Sequence, residues 1–296
     1  MINKLFIILM TSVFGVCQAQ KNELGIFIGS SGYYGDIGHD KFGEVLLYQS
    51  PAIGFFHKIN FHDYLSYRSS FKIGTIKADD SLSNEESRRT RNLKFQSQII
   101  DLSFGFEFNF YKFFIKKRHT VFSPYIYGGI SFFTFNPQAK NNRGEWVNLQ
   151  SIGTEGQGTL ASKNEKYPLN NWAIPFGLGY KVNYGQKIAF SIEWTWHPTK
   201  TDYLDDVSGY YADEDYLSQE AAEMANPGNI EIVSGKSRGN PNNNDWYNFF
   251  GFTMSYKIKN KPIKCPKSFH LFLLATQKID CLVLLLLVCT EGYFPK

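Results

Sequence analysis

The sequence predicts an all-β fold: an eight-stranded antiparallel transmembrane barrel of the outer-membrane type, with long outward loops and short periplasmic turns. Three observations carry that expectation. Apolar residues recur at every second position over eight segments, the period of a strand whose two faces meet different surroundings. Aromatic residues make up 17% of the chain, with 27 Phe and 18 Tyr, and both strands and membrane barrels are rich in them. The connections alternate between short and long, as in barrels that keep tight turns at one end and loops at the other.

The alternation is clearest over 100–110. Ile100, Leu102, Phe104, Phe106, Phe108 and Phe110 share one face, and Asp101, Ser103, Gly105, Glu107 and Asn109 the other. Segment 172–183 sets Ile174, Phe176, Leu178, Tyr180 and Val182 against Ala173, Pro175, Gly177, Gly179 and Lys181. In 187–197, Ile188, Phe190, Ile192, Trp194 and Trp196 oppose Ala189, Ser191, Glu193, Thr195 and His197. In 246–259, Phe250, Phe252, Met254, Tyr256 and Ile258 oppose Gly251, Thr253, Ser255 and Lys257. Weaker segments at 23–29, 51–60, 65–78 and 122–135 complete the set. In 65–78 the polar face holds Arg68, Ser70, Lys72 and Gly74, while in 51–60 Phe56 shares a face with Gly54 and Lys58 and leaves the orientation open. The short connections are 61–64, 111–121 and 183–186; the long ones are 30–50, 79–94, 136–171 and 198–245.

A soluble β-sandwich also alternates. Against it stand the aromatic-tipped apolar faces, the Gly, Ser and single charges opposite them, and the alternation of turns and loops. In lipid every backbone polar group needs a partner within the protein, and a closed barrel supplies one without leaving an edge. Eight strands enclose a space that side chains fill, which argues against a porin-like channel. Lys58, Arg68, Lys72, Glu107, Lys181 and Glu193 are expected to pair inside, because an unpaired buried charge is costly.

The ends read differently from the body. Residues 1–19 have the form of a secretory signal: Lys4, an apolar run over 5–16, and Cys17-Gln18-Ala19 with a small residue at the cleavage position. The run is too short for a membrane anchor. The barrel is assigned to 20–264, which contains no cysteine, so neither a disulfide framework nor a cysteine metal site holds it. Residues 265–296 break the barrel pattern, with apolar runs at 269–275 and 281–289 too short to span a bilayer. They read as an interfacial piece or a non-native extension. The net charge of +4 comes without a Lys/Arg stripe, which excludes a nucleic-acid partner.

Beyond composition, the loops carry specific motifs. They include Gly32-Tyr33-Tyr34-Gly35-Asp36, Pro51-Ala52-Ile53-Gly54, a run from Ser123-Pro124-Tyr125 to Gly128-Gly129-Ile130, and Phe135-Asn136-Pro137. Gly144-Glu145-Trp146, Gly153-Thr154-Glu155-Gly156-Gln157-Gly158 and Ile174-Pro175-Phe176-Gly177 follow. Last come Thr201-Asp202-Tyr203-Leu204-Asp205-Asp206-Val207-Ser208, Arg238-Gly239, Asp245-Trp246-Tyr247 and Cys265-Pro266. In these motifs, over roughly 24–269, the chain resembles the PorG-like outer-membrane barrel family, linked to the type IX protein secretion system. The resemblance implies a structural component of that machinery, set in outer-membrane lipid and associated with a periplasmic ring lipoprotein and its partners. It singles out Gly153, Glu155, Gly156, Gly158, Asp202, Tyr203, Asp205 and Asp206 as family-motif loop residues. If the ring association carries over, the basic turn with Lys112, Lys116, Lys117 and Arg118 is a candidate contact. A solvated turn near anionic headgroups is the plainer reading of the same residues.

Candidate chemistry is sparse. Asp202, Asp205, Asp206, Asp213, Glu214 and Asp215 crowd one loop; such oxygen ligands suit calcium, but their spacing matches no EF-hand. Ser191, Glu193 and His197 share one strand face, yet Ser191 and His197 lie about 20 Å apart along it, beyond the reach of a nucleophile and its base. A triad built across strands from Ser103 or Ser131 remains open. The glycines of 153–158 lead from no strand into no helix, so they read as turn residues rather than a phosphate loop. Arg88, Arg89 and Arg91 read as a solvated outward loop. No catalytic residue, cofactor or metal ligand is assigned, and the expected role is not enzymatic. The alternatives are a barrel enzyme acting on lipid and a surface receptor or adhesin using the long loops.

Overall fold

The computed structural model describes residues 21–38, 49–113, 115, 121–159, 165–231 and 234–258. The signal over 1–19 and the tail over 265–296 lie outside the described residues. Eleven strands follow in chain order among them. They are β1 (Lys21–Tyr34), β2 (Ser50–Asn60), β3 (Leu65–Asp79), β4 (Lys94–Asn109), β5 (Phe122–Thr134), β6 (Pro137–Lys140), β7 (Trp146–Asn148), β8 (Asn170–Ala173), β9 (Phe176–Tyr184), β10 (Ile188–Pro198) and β11 (Trp246–Lys257).

Eight of them form a closed ring in the order β1, β2, β3, β4, β5, β9, β10, β11. The ring closes where β1 runs antiparallel to β11, from Glu23 opposite Lys257 to Tyr34 opposite Trp246. The fold is therefore the expected eight-stranded antiparallel barrel, and closure leaves the ring no free edge. The predicted segment 172–183 is split at Pro175, which has no N–H to donate. Both halves stay on β5 in one register, since Ala173 faces Ser131 and Phe176 faces Gly128.

The outward face is the apolar one. Leu102, Phe106 and Phe108 on β4, Ile126, Ile130 and Phe132 on β5, and Phe252, Met254 and Tyr256 on β11 are all exposed. A belt of this extent is tolerable only against hydrocarbon, since apolar surface costs about 25 cal/mol per Å² in water. Inside, the expected charges pair. Glu107 accepts from Lys181 Nζ at 2.6 Å and lies 2.8 Å from Lys58 Nζ. Glu193 holds Arg68 Nη1 at 2.6 Å, Lys72 Nζ at 3.0 Å and the Tyr125 hydroxyl at 2.9 Å. Large side chains lie over glycines to fit the narrow lumen. A Cβ on Gly179 would come within 2.4 Å of the Tyr125 ring, and one on Gly25 within 2.1 Å of Phe56. Phe56 therefore points inward, which settles the ambiguous second strand.

At the short-turn end, Phe113 and Ile115 fold into a small buried cluster with Ala189. The Lys257 ammonium donates to the Ile115 carbonyl at 2.9 Å.

At the other end the strands outrun the prediction. The expected 100–110 is in fact Lys94–Asn109, and the expected 23–29 is Lys21–Tyr34. Polarity inverts along them. Below Asp101 the inward residues of β4 are polar, while above it Phe95 and Ile99 are buried and Lys94 and Gln98 face out exposed. On β3 the inward Arg68, Ser70 and Lys72 give way to Ile76. Beyond the membrane the outside is water, so the apolar face must turn inward. The outward apolar stripe ends where lipid ends.

Candidate functional site

The inverted segments create an apolar cup above the membrane, and the long loops fill it. Leu204 and Val207 of the β10–β11 loop are fully buried in one core with Phe95, Phe133, Phe135, Tyr167 and Tyr247. Short elements brace this cap: α1 (Glu86–Arg91), α2 (Leu149–Ile152) and α3 (Gln219–Ala225), with the β6–β7 hairpin extending the sheet from β4. Ser218 caps α3, its hydroxyl accepting from the Ala221 N–H at 3.1 Å.

The family-motif residues meet here. Asp206 adopts φ +69° and turns its carboxylate to the Tyr167 hydroxyl at 2.5 Å and to that of Thr154. Glu155 accepts from the N–H groups of Ser208 at 3.0 Å and Gly209 at 3.2 Å. Arg238 ties the two loops together, donating to Glu155 at 3.1 Å and to the Asp206 carbonyl at 2.7 Å. The Tyr33 hydroxyl lies 2.5 Å from Asp205 and 3.3 Å from Asp245, and Asp245 accepts from the Leu204 N–H at 2.9 Å. Asp36 accepts from the Asn240 N–H at 2.7 Å. Gly153, Gly156 and Gly158 have φ between +69° and +77°, which lets the 153–158 loop turn tightly enough to aim Glu155.

The cap is rich in buried carboxyls, and burial sets their chemistry. It pushes Asp202 up to about 7, with the charges of Asp36 and Glu155 adding to the effect. Burial also raises Asp206 to about 6, although Arg238 and the hydroxyls of Thr154 and Tyr167 pull the other way. Asp205 and Asp245 are both raised, first by burial; for Asp245 the charge of Asp205 comes next. Glu155→Gln is expected to lower the local stability of the cap by about 1.5 kcal/mol, the scale of a charge-assisted hydrogen bond. Faster tryptic cleavage after Arg238, with the barrel core unchanged, would show it.

Several sequence expectations are revised. Arg91 is not a solvated loop residue. It donates to Asp80 at 2.7 Å and to the carbonyls of Arg238 and Asp36, each at 2.7 Å. Arg89 stays exposed, as a solvated loop residue would, while donating to the Ser83 carbonyl at 2.9 Å. The acidic crowd divides: Asp202, Asp205 and Asp206 are buried, while Asp213, Glu214 and Asp215 are exposed. Among the described residues no three acids or histidines converge as ligands for a metal ion.

A cross-strand cluster does form from Ser131, His197 and Asp101 in the upper lumen. Ser131 Oγ and Asp101 Oδ2 both lie 3.5 Å from the same ring nitrogen, His197 Nδ1. A relay needs the nucleophile on one ring nitrogen and the acid on the other. The Tyr247 hydroxyl fastens Asp101 at 2.7 Å, and all of these groups are sealed from solvent. Of the basic turn, Lys112 is exposed; Lys116, Lys117 and Arg118 lie outside the described residues. Tyr167 escaped sequence reading because its partner Asp206 lies 39 residues away, and the Arg91–Asp80 pair because its members, 11 residues apart, sit on different short elements.

Strand pairing, belt and cap together define a transmembrane barrel of the outer-membrane type, with paired charges in its lumen and a packed loop core at its mouth among the described residues. The chain belongs to the family described as Domain of unknown function (DUF6089), whose pattern it matches over residues 2–267. Several solved outer-membrane barrels are similar in outline. Ail of Yersinia pestis, solved with the heparin analogue sucrose octasulfate, is 8% identical with a TM-score of 0.38, over 81% of this chain and 99% of that one. The outer membrane protein OprG of Pseudomonas aeruginosa is 9% identical with a TM-score of 0.36, over 81% and 95%. Neisserial surface protein A is 6% identical with a TM-score of 0.34, over 81% and 97%. No curated protein matches the sequence.

Proposed function

We propose that this chain is a non-catalytic structural component of the outer membrane, a PorG-like part of the type IX protein secretion machinery that associates with a periplasmic ring complex. The observation that carries this reading is a lumen occupied along its length. Phe113 and Ile115 are buried at the short-turn end, the Glu107 and Glu193 networks fill the middle, and the loop core closes the mouth. Among the described residues the lumen is packed with side chains at each level, which supports a barrel that acts through its surfaces. The motifs that carry the resemblance support the same reading, since Tyr33, Glu155, Asp206 and Arg238 build one cap. Ring contact falls to the short-turn end, where the basic turn presents Lys112 beside the inserted Phe113.

Deletion of the gene is expected to stop cargo secretion and ring assembly. Reversing charge at Lys112, Lys116, Lys117 and Arg118 is expected to abolish co-purification of the ring lipoprotein while the barrel still folds. Normal secretion and ring assembly in the deletion strain would overturn the proposal.

A further inference from the structure

The lipid-facing belt carries a polar cross-strand pair on β2 and β3. On β2 the outward positions are Pro51, Ile53, Phe55, His57 and Ile59, and on β3 they are Leu65, Tyr67, Ser69, Phe71 and Ile73. His57 and Ser69 are direct cross-strand partners. They are polar groups side by side on a surface dominated by aromatic and aliphatic side chains. Among the described residues, no other acidic or basic side chain faces outward within the belt. Neither His57 nor Ser69 has a side-chain hydrogen-bond partner among the described residues. The pair lies in a groove of about 570 Å³ that crosses β11, β1, β2, β3 and β4, with Phe55, Phe71, Phe104 and Met254 in its walls. Phe55 is 60% exposed and stands as a ridge beside the low floor made at Ser69.

Depth decides what can fill the groove. His57 lies four residues above the turn at 61–64. At about 3.3 Å per residue and a tilt near 40°, it sits roughly 10 Å above that turn, inside the hydrocarbon. Acyl chains carry no polar group at this level, and polar groups are expensive there unless paired. A second copy of the chain does carry one. Two barrels inserted in the same direction and related by a twofold axis along the membrane normal bring identical residues to identical depth. Neutral imidazole has one donor and one acceptor, and the serine hydroxyl has both, so a His57–His57 or His57–Ser69 contact satisfies each side. The Phe55 ridge next to the Ser69 floor is the offset that a self-complementary surface needs.

We propose that this groove is the face through which two copies of the barrel associate in the membrane. The test is disulfide crosslinking of the full-length chain in native outer membranes. The background has Cys17, Cys265, Cys281 and Cys289 replaced by Ser. Ile59→Cys, on the outward face of β2 beside an intact His57, is expected to give a covalent dimer at least five-fold more abundant than Leu178→Cys, placed on β9 across the barrel. In single-molecule photobleaching, His57→Phe is expected to lower the dimer fraction at least ten-fold while the heat-modifiable folded band persists. Equal crosslinking at the two positions, no crosslinking at 59, or an unchanged dimer fraction in His57→Phe would each overturn the proposal.

Discussion

Glu193→Ala is expected to destabilise the barrel by about 3 to 5 kcal/mol, the scale of breaking a buried ion pair by removing one partner. Glu193 is the only carboxylate bonded to Lys72 and the nearer of two to Arg68, at 3.0 Å and 2.6 Å, among the described residues. All three side chains are almost wholly buried. Without the carboxylate, two cations stay buried in the lumen with their nearest countercharge gone. Arg68 keeps only its longer contact to Glu107, at 3.5 Å, which Lys58 and Lys181 already share. Ring stacking offsets little of the loss, although Lys72 lies 4.5 Å from the Phe27 centroid and Arg68 4.3 Å from that of Tyr127. Urea unfolding in lipid vesicles, read from the heat-modifiable gel band, gives the number. A further prediction separates the network from mere volume. Replacing Arg68, Lys72 and Glu193 together by apolar residues of similar size is expected to cost much less than Glu193→Ala alone, because no charge is then stranded. A loss below about 1 kcal/mol for Glu193→Ala would mean that the network does not hold the barrel together.

How far the sequence reveals this molecule follows from where each residue meets lipid, water or protein. In the belt the surroundings are simple, lipid outside and polar lumen inside, so period-two alternation locates strands and predicts that Lys58, Arg68, Lys72, Glu107, Lys181 and Glu193 pair. The signal then reverses above Asp101, and the strands carrying Phe95, Ile99 and Ile76 inward are read too short. The cap is less legible still. Composition shows that 201–208 is acidic, but not that Asp206 meets Tyr167 and Asp205 meets Tyr33, since those partners lie 39 and 172 residues away. A local pattern cannot encode such distances. The resemblance names the cap's residues without giving their geometry, and geometry separates a solvated acidic loop from a buried one.

Burial of those acids has a consequence in pH. A carboxyl raised in the folded state is protonated in both folded and opened forms at low pH, where its contribution to folding is complete. As pH climbs above the usual carboxylate range, the opened form ionises while the folded form is still held neutral, and the contribution is lost by the time pH passes the folded value. For Asp206, raised to about 6, and Asp202, raised to about 7, the window runs from roughly pH 4 to 7. Asp205 and Asp245 act in the same direction. The cap is therefore expected to loosen steadily from about pH 4 toward pH 8. Asp206 alone accounts for about 2 to 3 kcal/mol, because each tenfold change in proton affinity is worth about 1.4 kcal/mol. Hydrogen exchange at the Leu204 and Val207 amides, corrected for intrinsic rate, should then show about 30-fold or more stronger protection at pH 5. Both amides donate to these carboxylates, Leu204 to Asp245 and Val207 to Asp205, each at 2.9 Å. Asp206→Asn keeps the shape and removes one of these titrations, so it should make the profile shallower, with Asp202, Asp205 and Asp245 carrying the slope that is left. Protection that rises with pH would contradict the burial of these acids. The barrel below, held by Glu107 and Glu193, would be the unchanged reference in the same sample.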